Sequence, residues 1–248
     1  MSQLDLACEA EISTRHLSFL ETGRAMPSRD MVLHLAERLD VPLRERNALL
    51  LAAGFAPVFP ERSLESPALR PAREAVDRLL AAHEPYPALA VDRHWTLVAA
   101  NKAIAPLLTG AASWLLSPPV NVLRLSLHPE GLAPRIANLG EWRKHLLHRL
   151  QLQVTATADP VLTDLLNELS GYPGSASAQL GAEQEEAAIA VPLRLATDAG
   201  ILSFLSTTMV FGTPLDVTLS ELAIETFLPA DPATALALRN LTTDHDTT

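Results

Sequence analysis

The residues best placed for chemistry stand close to the start of the chain. Thr14, Arg15, Ser18 and Phe19 fall at spacings that put them on one exposed helix face. Arg15 has the donor geometry for a bidentate bond to a guanine edge in a DNA major groove. Gln3, at a helix start, suits a phosphate oxygen, and Thr22 and Arg24 suit the backbone beyond the helix. Solvated surface residues are the bland alternative for each of these. A second group is large and apolar: Trp95, Trp114, Trp142, Phe204 and Phe211. Such side chains line a pocket for a hydrophobic ligand or simply fill a core. His145 and His148, three apart on one helix, have metal-holding spacing but no evident third ligand, so no metal is expected.

Two short helices must position the first group. Ser2 and Ser13 are capping residues, with Asp5 three positions after Ser2. Leu6, Ala7 and Ala10 share one face, Leu17 and Leu20 another, and Gly23 stops the second helix. Small Ala7 and Ala10 permit a steep, close crossing. This is a helix-turn-helix, or otherwise an αα-hairpin of an ordinary bundle.

The pattern Ser2-Gln3, Leu6-Ala7, Ile12-Ser13, Leu17-Ser18, Leu20-Glu21, Gly23-Arg24 resembles the XRE family of bacterial DNA-binding domains. That resemblance implies a lambda-repressor-like, all-α domain. A basic helix usually precedes the pattern in that family, so the expectation is either that the start lies too late or that the domain lacks this first helix, and with it the Arg that pairs with Glu21. Glu11 stands where the family prefers Gly, and a left-handed non-Gly residue costs roughly 1–2 kcal/mol. Residues 1–57 carry six Arg against eight acidic side chains, a net charge of −2, which predicts weak DNA binding.

Further along, Met31, Val32, Leu35 and Leu39 mark a third helix after Ser28. A fourth is expected from Pro42 as its first residue to Gly54, with Leu50 and Leu51 packing back on the helix pair. Residues 1–57 thus form the DNA-binding domain. Residues 58–71, with Pro60, Pro67 and Pro71, read as a linker.

Residues 72–241 read as one α+β domain. A helix is expected over 72–82, then strands 88–91 and 95–99 around a turn at Asp92-Arg93-His94, then a helix capped by Asn101. PAS-type sensor domains open in this way. A helical region at 120–150 includes a long helix from Leu139 to Leu152, and another helix runs from Pro160 to about Ser170. Residues 175–187 read as a mobile loop. Strands at 188–196 and 201–211 close the domain, followed by a short polar strand or helix lead. A last helix opens at 229–232, and 242–248 read as a disordered tail.

The segments LRLSLHPEGL (123–132), LSTTMVFGTPLDVTLSEL (205–222) and ETFLPAD (225–231), behind the helix-turn-helix, resemble the MmyB-like regulators, an XRE subfamily. The resemblance covers nearly the whole chain. It implies a PAS-like antiparallel sheet with helices that binds a ligand and is joined to the DNA-reading domain. It also implies control of neighbouring bacterial genes, often for oxidoreductases or secondary metabolism.

Composition narrows the classes. The formal charge of −10 argues against a sequence-independent nucleic-acid coat. One cysteine, Cys8, excludes an internal disulfide and, with no visible signal peptide, suits a cytoplasmic protein. No run of about 18 uncharged apolar residues suggests a membrane span. A phosphate-binding Gly-rich loop, a Gly-x-Ser-x-Gly elbow and a thiol with a neighbouring base are all lacking, so neither an enzyme nor a cofactor is expected. Asp198, Glu225 and Asp231 sit where carboxylates serve turns and caps. Scarce charge around the expected pocket favours a small hydrophobic ligand, fatty-acid-like or a secondary metabolite. The expected partners are therefore a double-stranded DNA operator, that ligand, and a second copy in a homodimer. A protein-interaction regulator that has lost DNA binding is the alternative.

Overall fold

The computed structural model describes residues 2–173 and 191–245 of the 248. The chain divides into two units, residues 1–66 with 212–220, and residues 67–211 with 221–248.

The first unit is helical: α1 (Gln3–Glu9), α2 (Thr14–Glu21), α3 (Arg29–Arg38) and α4 (Leu43–Ala52). Ser2, Ser13 and Ser28 each accept an N–H of the following first turn. Ala7, Ala10, Leu17, Ala36 and Leu50 form its buried centre, and the small residues let the backbones approach. Pro42 is the residue before α4, not its first. Leu51 faces out at 59% exposure, while Leu50 alone packs inward. The segment after α4 is held down. Asn47 accepts the N–H groups of Val58 and Phe59 at 3.0 and 3.1 Å and donates to the Phe59 carbonyl at 2.7 Å. Arg62 pairs with buried Asp216 at 3.0 Å, and the Val217 N–H donates to the Pro60 carbonyl at 2.9 Å, bringing in the short helix α9 (Val217–Ser220).

The second unit opens with a 3-10 turn at Pro67–Leu69 and α5 (Arg70–Ala82). Its sheet comprises β1 (Ala88–Val91), β2 (Leu97–Ala100), β3 (Leu193–Thr197), β4 (Gly200–Val210) and β5 (Ala223–Pro229). The order is β2-β1-β5-β4-β3, every pair antiparallel. This is the expected α+β, PAS-like arrangement. Its centre is β5, whose Ile224 stands opposite Ala90 on one side and Met209 on the other.

Helices α6 (Val122–Leu127), α7 (Leu139–Thr157), α8 (Pro160–Ser170) and α10 (Pro232–His245) complete the unit. Phe204, Leu150 and Leu169 are fully buried between the sheet and these helices. Each such side chain contributes about 1.5–3 kcal/mol by leaving water.

Several local expectations change. The second strand starts at Leu97 because Trp95 has φ +64, a left-handed turn conformation. Asn101 does not cap with its side chain. It accepts the Ala88 N–H at 3.1 Å and donates to the Leu80 and Tyr86 carbonyls, stapling α5 to β1. The closing pair begins at Leu193, and the expected strand residues 188–190 lie outside the described residues, as does the loop expected at 175–187. Helix α10 continues to His245, into the segment expected to be disordered, and 246–248 lie outside the described residues. Among the described residues no helix is long and apolar enough to cross a membrane.

Candidate functional site

In the first unit the turn between α1 and α2 is built by backbone bonds. The Ile12 N–H donates to the Ala7 carbonyl at 3.0 Å, and Glu11 takes φ +53, the left-handed conformation that its type disfavours. The His34 ring Nε2 donates to the Ala10 carbonyl at 2.9 Å and locks α3 to the end of α1.

On α2, Thr14 and Arg15 are exposed, and Ser18 and Phe19 are half-buried. The Arg15 guanidinium lies over the Phe19 ring, 5.3 Å from its centroid, so a cation–π contact holds it along the helix face. The Thr22 hydroxyl donates to the Ser18 carbonyl at 2.6 Å, and exposed Arg24 follows Gly23 at φ +69. Gln3 donates its amide to Glu21 at 2.5 Å. Glu21 therefore has a partner on α1, where sequence reasoning expects none. Cys8 is exposed.

The second unit holds a partly open cavity of about 260 Å³ between the sheet and α6 and α7. Trp95, Trp142 and Phe204 stand on its wall, together with Leu89, Leu146 and Phe227. Trp114 and Phe211 are not among the lining residues. Trp114 is 52% exposed and donates its indole N–H to Glu130 at 2.9 Å, and Phe211 follows the end of β4.

Among the described residues, only Ser126, Arg149, Ser206 and Glu225 put polar side chains on this wall. The two indole N–H groups are already satisfied, Trp95 by Gln153 Oε1 at 2.7 Å and Trp142 by Ser126 Oγ at 3.0 Å. Arg149 on α7 pairs with Glu225 on β5 at 2.8 Å and sits 4.9 Å from the Trp95 ring centroid. Thr208 accepts from Arg149 at 3.1 Å and donates to Glu225 at 2.9 Å. Glu225 is thus neither a turn nor a cap residue, as sequence reasoning has it, but a buried ion-pair partner in the central strand. Asp231 does cap, accepting the Thr234 N–H at 2.7 Å.

Half-buried His145 stacks on Trp142 at 5.5 Å. Burial, and then the nearby Arg149 charge, hold its pKa below the usual imidazole range. No group of three His, Cys, Asp or Glu stands together among the described residues.

The sequence offers one weak signal for the missed pair. Glu225 and Thr226 interrupt the apolar residues of the strand AIETFLP, and a charge at that position calls for a partner. That the partner is Arg149, 76 positions earlier, is not readable along the chain.

Residues 72–241 match the family model described as MmyB-like transcription regulator ligand binding domain. Residues 1–46 match the model described as Helix-turn-helix. No curated protein matches the chain.

Proposed function

Because this chain belongs to the MmyB-like transcription regulators, DNA-binding proteins with a ligand-binding domain, we propose that it reads a specific operator and that a small hydrophobic ligand modulates the reading. Arg15 is the base-contacting residue, and Gln3, Thr14, Ser18, Phe19, Thr22 and Arg24 surround it as backbone or flanking contacts. The chain acts as a homodimer in the cytoplasm, with two α2 helices entering successive major grooves about 34 Å apart. The ligand acts by binding one arrangement of the dimer better than another.

The observation that carries the ligand reading is the cavity of about 260 Å³, walled almost entirely by apolar side chains. A fatty-acid-like molecule or an apolar secondary metabolite suits such a wall, whereas a phosphate or sugar leaves its polar groups unpaired there.

The test is fluorescence anisotropy on a duplex selected by the protein from a random pool. Arg15→Ala is expected to lose about 1–3 kcal/mol of discrimination between the selected and random duplexes. Addition of a hydrophobic cell extract is expected to shift the affinity of the wild-type chain. If no duplex is selected, the operator reading fails and the protein-interaction alternative takes its place. If affinity is indifferent to every extract, ligand control fails.

A further inference from the structure

We propose that Phe19, one of the residues flanking Arg15, is its positioning residue: the ring holds the guanidinium ready before DNA arrives, and its effect on base discrimination passes through Arg15. The inference rests on the reading of Arg15 as the base-contacting residue.

Arg15 and Phe19 stand one turn apart on α2 and share its outer face. Arg15 is exposed and Phe19 half-buried, with the guanidinium carbon 5.3 Å from the ring centroid. Phe19 is the fixed member of the pair. Its carbonyl accepts the N–H groups of Arg24 at 2.8 Å and Ala25 at 3.1 Å, so the backbone beneath the ring is tied to the turn after α2. Arg15 is the mobile member, because a long side chain free on the surface carries much rotamer entropy. It must surrender that freedom on reaching a guanine edge. A guanidinium already laid along the ring has less to surrender, and the saving appears as affinity for the correct base.

The stack also leaves the reading edge open. The guanidinium donors lie in its plane, so a cation resting on a ring face keeps its N–H fork for a bidentate bond to guanine O6 and N7. It need not leave Phe19 to make that bond. A carboxylate partner spends those same donors, and residues 1–57 hold eight carboxylates to six arginines. In so acidic a unit, an aromatic ring is the neighbour that fixes a base-reading arginine without using up its hydrogen bonds.

The experiment is a double-variant cycle on the full chain, read by anisotropy on the selected duplex and on its single-base variants. Phe19→Leu keeps an apolar side chain and removes the aromatic face. It is expected to lower discrimination about two- to five-fold, at the same base pair that Arg15→Ala affects. In the Arg15→Ala background Phe19→Leu is expected to change nothing further. Phe19→Tyr keeps the face and is expected to keep the wild-type discrimination, which separates the ring's face from its bulk. Discrimination that survives Phe19→Leu but not Arg15→Ala overturns the proposal and leaves the operator reading standing. A loss that adds to that of Arg15→Ala, or falls at another base pair, overturns it too, since the ring then reads a base itself, as through a thymine methyl. If Arg15→Ala loses no discrimination, the reading of Arg15 falls and this proposal with it. Circular dichroism checks the fold, and should Phe19→Leu not fold, Phe19→Met takes its place with the same expectations.

Discussion

The side-chain amide of Gln3, the first residue of α1, donates to the carboxylate of Glu21, the last residue of α2, across 2.5 Å. This bond joins the two helices of the DNA-reading motif at their exposed edge. Only one of the two Gln3 amide hydrogens is spent on it, so the other can still serve a phosphate oxygen. Gln3→Ala is therefore expected to weaken binding to selected and random duplexes alike, by about 1 kcal/mol or roughly five-fold. The salt slope should not change, because an amide releases no counterion. Anisotropy titrations at several salt concentrations check both statements. A loss confined to the selected duplex would make Gln3 a base contact instead.

Glu11 holds φ +53 in the turn between α1 and α2. The left-handed conformation costs a non-Gly residue roughly 1–2 kcal/mol, while Gly gives back about 0.5–1 kcal/mol in chain entropy. Glu11→Gly is accordingly expected to stabilise the first unit by a few tenths to about 1 kcal/mol. Chemical denaturation followed by helical circular dichroism measures it. An unchanged or lowered midpoint means that the Glu11 side chain contributes something the backbone strain hides.

The helices were legible because their periodicity and serine caps act locally. Ser2, Ser13 and Ser28 each cap the helix that the apolar spacing predicts. What the sequence hides are features settled by partners far along the chain. Strand β5 carries buried Glu225 and Thr226 and ends in Pro229, so it reads as a polar lead, yet it is the centre of the sheet. Its Glu225 is tolerable only because Arg149 arrives from α7. Residues 58–71 look like a linker because of their prolines, but Asn47 and Asp216 fix residues 58–62 from outside the segment. Trp114 and Phe211 have the right chemistry for a cavity wall, and only the fold decides that Trp95, Trp142 and Phe204 reach it.

Arg124, Glu168 and Tyr172 form a cluster between α6 and the end of α8, with Arg124 bonded to both Glu168 oxygens at 2.7 Å and Tyr172 donating to the same carboxylate. The Arg124 hydrogen bonds, against the opposing effect of burial, hold the Glu168 carboxyl below its usual range. Its stabilising contribution is thus present above the unfolded-state value and lost as pH falls through the folded one. Burial, and then Glu168, push the Tyr172 hydroxyl up to about 12. The folded state therefore keeps that proton longer, and stability is lost as pH rises from about 10 toward about 12. Denaturant midpoints across pH are expected to fall on both flanks. Glu168→Gln should flatten the acid flank and Tyr172→Phe the alkaline one. Curves unaltered by either variant would show that the cluster does not report on folding.

The cavity volume makes a prediction that needs no knowledge of the natural ligand. In a homologous series of straight-chain primary amides, each added methylene leaves water for the apolar wall and contributes about 0.8 kcal/mol, roughly four-fold in affinity. The gain should stop at the chain length that fills the cavity, and longer chains should bind no better. Leu146 is buried on the wall, and Leu146→Phe adds bulk there. That substitution is expected to cost about 1–3 kcal/mol of stability through overpacking and to move the break to a shorter chain. Calorimetry on both proteins reads the break directly. A series that climbs without a break means that the wall yields to the ligand, and Leu146→Phe would then leave the longest chains unaffected.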